Sequence, residues 1–173
     1  GEKPSARACL ELMLNRTPNV NVHSAALRRT PLEIAFLRSS KKACELLIGA
    51  KAKITNTGVE RISMKVILRR RPWAISLLPL CVEGDAATYA MCKVCDLPAE
   101  TRFPLLVRLL AAGGDPSGIV GPDGVTSLAP IMSAPDLVTL KWLLERGASA
   151  EVMVRQKYGS ISPLIFTLVF NGR

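Results

Sequence analysis

Three features of the sequence predict an all-α fold built from stacked, repeated helix pairs. A helix-opening dipeptide precedes an apolar run four times, at Thr30-Pro31-Leu32, Arg71-Pro72-Trp73, Thr126-Ser127-Leu128 and Ser162-Pro163-Leu164. Leucine-rich stretches starting at Leu12, Leu46, Leu109 and Trp142 each run into a small-residue turn, at Thr17-Pro18, Lys51-Ala52, Gly113-Gly114-Asp115 and Gly147-Ala148. Those turns recur at intervals of 34, 62 and 34 residues, counted from Pro18 to Ala52, Gly114 and Ala148. The spacing reads as one period with a long insertion in its middle.

Each element follows from local chemistry. Residues 6 to 15 read as the outer helix of a partial unit, and Asn15 to Arg29 as a turn and finger loop rich in Asn, Pro and Ser. Thr30 can cap the next helix through its hydroxyl. Pro31 then occupies the first helical position, where its missing N–H costs nothing. Pro31 to Ser39 forms the inner helix and Lys41 to Ile48 the outer one, with Ala43, Leu46, Leu47 and Ala50 spaced to make one apolar stripe.

The next finger, Lys51 to Arg71, is longer than its counterparts and carries Ser63-Met64-Lys65-Val66-Ile67-Leu68 followed by Arg69-Arg70-Arg71. Pro72 opens an inner helix, and about 21 residues between Leu80 and Phe103 are inserted before the outer helix. An alternative register makes Leu77 to Ala87 the outer helix and turn of an extra unit. It would place Pro79 inside a helix at a cost of roughly 3 kcal/mol, so the insertion is preferred.

Phe103 to Ala111 reads as an outer helix ending at Gly113-Gly114-Asp115-Pro116. Thr126 caps an inner helix with Pro130 in its first turn. Pro135-Asp136 opens the following outer helix, which stops at Gly147, where a left-handed residue is favoured. Ser162-Pro163 to Phe170 is a last inner helix.

Thr30-Pro31-Leu32-Glu33-Ile34-Ala35, Asp123-Gly124-Val125-Thr126-Ser127-Leu128 and Trp142-Leu143-Leu144-Glu145-Arg146-Gly147-Ala148-Ser149 together resemble the ankyrin repeat. The fourth position of the opener is Glu33, Ala74, Ala129 and Ile165, where the family usually has His. The resemblance implies an ankyrin-like solenoid divided as a partial repeat 1–29, a repeat 30–70, a repeat with insertion 71–125, a repeat 126–161 and a partial repeat 162–173. It also implies protein binding without catalysis. Units of such an array need neighbours or polar caps, and neither end shows a cap, which points to a piece of a longer chain or assembly.

Of 173 residues, 49% are hydrophobic and 5% aromatic, which suits thin helix pairs in close approach. The net charge is +9, and residues 1 to 75 hold 15 of the 23 Lys and Arg against 5 of the 14 Asp and Glu. A basic half beside a neutral one points to an acidic partner. Arg28 and Arg29 precede one inner helix and Arg69, Arg70 and Arg71 the next. With Lys53 they form the expected partner-binding set, since arginines can fork onto carboxylates or phosphates. An acidic protein is the expected partner. The alternative is a ribonucleoprotein subunit laid against RNA phosphates, with Tyr89 or Tyr158 as stacking platforms and Trp73 and Phe36 in the core.

Catalysis finds little footing. Cys92-Lys93-Val94-Cys95 with Cys81 has part of a zinc spacing, but no second pair follows and the single histidine, His23, lies far off in a finger loop. Small buried thiols on a helix are the expectation, with no metal and no cofactor. No nucleophile motif accompanies His23, and Glu45, Asp115, Asp123 and Glu145 sit at turns or solvent faces. Glycines 113, 114, 121 and 124 lack the Lys-Ser or Lys-Thr of a phosphate loop. An odd five cysteines without an apolar leading stretch point to an intracellular, reducing setting. No run reaches the length of a membrane span.

Overall fold

Local capping chemistry opens the helix at Pro31 in the computed structural model, which describes residues 16, 19–55, 58–59, 71–118, 120, 129–150, 154–156 and 159–161. Helix α1 (Pro31–Leu37) begins with a capping box: Thr30 Oγ1 accepts from the Glu33 N–H at 3.3 Å and Glu33 Oε2 accepts from the Thr30 N–H at 3.4 Å. It buries Leu32, Ala35 and Phe36. Ser39, at φ +58, turns the chain into α2 (Lys41–Gly49), whose buried face centres on Cys44 and Leu47.

Three helices end alike. After α2, α5 (Ala99–Ala111) and α6 (Leu137–Leu144), a residue with positive φ appears, Lys51 at +63°, Gly113 at +85° and Gly147 at +91°. The next N–H then bonds back to a leucine carbonyl: Ala52 to Leu47 at 2.9 Å, Gly114 to Leu109 at 3.0 Å and Ala148 to Leu143 at 3.0 Å. This left-handed stop satisfies carbonyls that the helix end would leave open. The equivalent residues are therefore Leu47, Leu109 and Leu143, all buried. Leu46 and Trp142, expected beside Leu109, stand one residue too early.

Between α2 and α5 the structure departs from expectation. Pro72 opens α3 (Pro72–Cys81), which packs against α2 and α5 and touches α1 through Trp73 stacked on Phe36. Pro79 lies inside it and is buried. Pro79 supplies no N–H to that helical turn, yet the neighbouring Ser76 carbonyl receives Arg108 Nη2 from α5 at 2.9 Å, and Leu77, Leu78 and Cys81 are buried around it. Packing outweighs the proline cost that favoured the other register.

The segment expected as an insertion contains α4 (Gly84–Val94), in which Ala86 to Cys92 and Val94 are all buried. Helix α4 packs on α5 and on the 3-10 helix η1 (Pro130–Ser133), which in turn meets α6. The helix expected from Thr126 is represented by that short η1, with Ala129 as its cap residue. Helix α5 starts at Ala99, four residues before the expected Phe103. Val154–Gln156 and Gly159–Ile161 pair as a two-stranded antiparallel hairpin, β1 and β2, with Arg155 opposite Ser160. The other helices and strands among the described residues are those named above. The helices expected over 6–15 and 163–170, and the Thr126 cap, lie outside the described residues.

Successive turns are joined. Lys53 N–H donates to Asn21 Oδ1 at 2.9 Å, Ile54 N–H to the Cys81 carbonyl at 2.7 Å, and Gly84 N–H to the Ala112 carbonyl at 3.3 Å. Ser117 closes the series: its hydroxyl donates to the Gly147 carbonyl at 3.0 Å and accepts from the Ser149 N–H at 2.7 Å. Turn meets turn along the described chain.

Candidate partner-binding surface

The finger loop before α1 is held by its own polar side chains. Asn19 Oδ1 accepts from the Asn21 N–H at 2.8 Å, and Asn21 in turn holds Lys53. Ser24 N–H donates to the Arg29 carbonyl at 2.9 Å while Arg28 N–H donates to the Ser24 carbonyl at 2.7 Å, closing residues 24–29 on themselves. Arg28 is exposed with φ +50°, and Arg29 is half-buried just before the Thr30 cap. His23, Ser24, Ala25 and Arg28 line an open cleft of about 400 Å³.

The other predicted cations fare differently. The Lys53 ammonium forms an ion pair with Glu83 from the turn between α3 and α4, so its charge is engaged within the chain. Arg71 is exposed at the start of α3. Arg69 and Arg70 lie outside the described residues. The structure thus joins Lys53 to the 19–29 loop through Asn21, and places Arg71 on a separate element. The Lys53–Glu83 pair, thirty residues apart in sequence, carried no local signal.

Candidate chemistry elsewhere recedes into the core. Cys44, Cys81, Cys92 and Cys95 are free and buried. Burial pushes the thiols of Cys44, Cys81 and Cys92 up to about 12, against which the Ser133 hydroxyl beside Cys92 acts weakly; Cys95 is raised for the same reason. A protonated thiol is a poor nucleophile and a poor metal ligand. Among the described residues no group of three or more His, Cys, Asp or Glu is placed to hold a metal ion, and no helix is long and apolar enough to cross a membrane. Tyr89, expected as a stacking platform, is 1% exposed with the Lys93 ammonium 4.8 Å from its ring centre. Phe36 is buried and stacks on half-buried Trp73 at 5.9 Å. Tyr158, Cys9, Asp123 and the 121–124 glycines lie outside the described residues.

A polar contact that the sequence reading did not single out sits between α5 and α6. Arg102, 5% exposed, donates through Nη1 to the carbonyls of Cys95 and Leu97 at 3.1 and 3.3 Å, and through Nη2 to Asp136 Oδ2 at 2.7 Å. Asp136 also caps α6, accepting from the Thr139 N–H and hydroxyl at 2.7 Å each. Partial burial pushes its carboxyl upward, but those bonds together with the Arg102 guanidinium hold it below the usual range. The pair is architectural: it locks the end of α4 to the start of α6. An arginine among apolar residues, with an Asp-x-x-Thr cap farther on, was its only trace in the sequence.

No family model, curated protein or solved structure matches this chain. What the surface can do must follow from its residues.

Proposed function

We propose that this chain is a non-catalytic binding scaffold of ankyrin-like helix pairs, receiving an acidic protein on the basic surface of its N-terminal half. The observation that carries the reading is the series of turn-to-turn hydrogen bonds, Asn21 with Lys53, Ile54 with Cys81, Gly84 with Ala112, and Ser117 with Gly147 and Ser149. Bonds recurring roughly every thirty residues are what stacked repeats require, because each unit hides its apolar faces only against the next. On the same ground Gly84–Ala111 counts as a full helix pair in the array in place of an insertion.

Charge supplies the second support. Arg28, Arg29 and Arg71 belong to a half with three times as many cations as anions, and Lys41, Lys42 and Lys51 are exposed on the same half. The buried thiols favour binding over chemistry. RNA backbone contact is the competing reading, and burial of Tyr89 leaves it without that stacking platform.

Titrating the full chain with an acidic peptide and with single-stranded RNA at two salt concentrations separates them. The scaffold reading expects peptide binding with a shallow salt slope. Tighter RNA binding that falls by orders of magnitude between about 50 and 200 mM salt would overturn it.

A further inference from the structure

The corner that joins α1 to α2 gathers cations that the chain itself leaves largely unanswered. Arg38, Lys41 and Lys42 are exposed there, and exposed Arg71 opens the neighbouring α3. Two contacts set α2 and α3 in parallel. Trp73, at the start of α3, stacks on Phe36 just before the corner, and Ile54, past the end of α2, donates to the Cys81 carbonyl that ends α3. Packed at helix spacing, the starts of α2 and α3 lie about 10 Å apart, within reach of arginine and lysine side chains. Lys41 meets Glu45 at 3.6 Å with both side chains about half exposed, a pair of little worth. Among the described residues the side chains of Arg38, Lys42 and Arg71 have no ion pair or hydrogen bond, whereas Arg28 and Lys53 already have partners within the chain. Folding does not ask for cations here. A helix start is positive, and α1, α4, α5 and α6 set Glu33, Asp85, Glu100 and Asp136 at theirs, while α2 and α3 have no acid there and begin with Lys41-Lys42 and Arg71.

We infer that this corner seats the acidic partner: a carboxylate-rich segment of another protein lies across Arg38, Lys42 and Arg71, with one of its apolar side chains against Leu37. The inference rests on the scaffold reading and moves its contact from the finger loop at the start of α1 to the corner at its end. Charge complementarity carries it, through the free side chains and not the backbone N–H groups of the helix starts. Arg38 and Arg71 bring planar forks matched to paired carboxylate oxygens, and Lys42 adds a point charge. Leu37, 38% exposed as the last residue of α1, gives a leucine or valine of the partner an apolar contact beside the cations. The rings at hand, Phe36 and Trp73, are stacked on each other and not on offer to a base, which favours a protein segment over RNA.

The test uses the full chain and a fluorescent peptide of glutamates around one leucine, read by anisotropy at near-physiological salt beside an all-glutamate peptide. Arg38→Gln, Lys42→Gln and Arg71→Gln should each weaken binding about two- to fivefold, and the triple variant at least about tenfold, as exposed charge contacts add. Lys141→Gln with Arg146→Gln on α6, in the neutral half, should stay within about twofold because salt screens distant cations. Lys42→Gln and Arg71→Gln should melt no lower than the unaltered chain, which separates a lost contact from a lost fold. Leu37→Ser should abolish the advantage of the leucine peptide over the all-glutamate one. Undiminished binding by the triple variant, or an equal loss from the α6 pair, would remove the corner and leave the basic-surface reading standing. Failure of the unaltered chain to bind the acidic peptide would sink both. A leucine advantage that survives Leu37→Ser would overturn the apolar contact. Displacement of the peptide by single-stranded RNA at lower concentration than by unlabelled peptide would overturn the protein assignment.

Discussion

Single side chains set much of the stability here. Arg102 answers two carbonyls and one carboxylate from a nearly sealed position, and its Nε has no hydrogen-bond partner. Arg102→Ala should therefore cost about 2–4 kcal/mol in denaturant unfolding, as several acceptors lose their donor at once. Asp136 sets an acid limit. Its folded carboxyl lies below the unfolded value, so its contribution is complete above about pH 4 and disappears as pH falls through the folded value. Asp136→Asn should flatten that acid loss in a series of melts from pH 5 to about 2. The thiols act at the other end. Cys44, Cys81 and Cys92 are raised on folding, so the unfolded chain releases their protons first and stability falls as pH climbs above about 9. Alkylation of these cysteines at neutral pH should track global unfolding, and fast labelling of the native chain would contradict their burial.

Helix ends show how far elements could be read in advance. The Thr30 cap, the Asp136 start and the Gly147 stop were legible because each uses one residue type for one local geometry. Lys51 adopts the same left-handed stop without glycine, so nothing in its identity announced it. The bounds of helix α4 were not read in advance, although Cys92 and Cys95 were expected as buried thiols on a helix, because its opener Glu83-Gly84 lacks the Thr-Pro signal and the helix is buried on nearly every side. Pro79 misled for a related reason, since its local cost was visible and the packing that outweighs it was not. Glycines give the element-scale test. A Cβ at Gly114 would lie 2.8 Å from Met91 Sδ and 2.9 Å from the Leu109 carbonyl, whereas one at Gly49 meets nothing within 4 Å. Gly114→Ala should destabilise by about 1–3 kcal/mol, and Gly49→Ala should be neutral or stabilising by up to about 1 kcal/mol. Similar thermal shifts for the two would refute this packing.

At the scale of the whole molecule the helical character and the turns at Lys51, Gly113 and Gly147 were readable in the sequence, and the Cys81-to-Gly84 turn was not. The 62-residue interval between Ala52 and Gly114 holds the Cys81-to-Gly84 turn near its midpoint, and that turn bonds to both neighbours. The sequence showed the cations of the candidate surface as charge and not their settings: the cleft beside Arg28 forms within its own loop, and Lys53 meets Glu83 thirty residues on. Coupling between layers should be measurable at Ser117, whose hydroxyl alone makes two of the joints. Ser117→Ala should cost about 1–3 kcal/mol and speed amide exchange over residues 137–149 more than over α1 and α2. Uniform acceleration would mean the layers rise and fall as one.

Joints of this kind also govern how the chain would answer a pull. On the proposed stacking, tension drawn along the array would load one stitch after another, so lengthening would come as discrete yields of about 100 Å, the contour of some thirty residues. A protein assembled this way could pay out length under strain and gather it again, layer by layer.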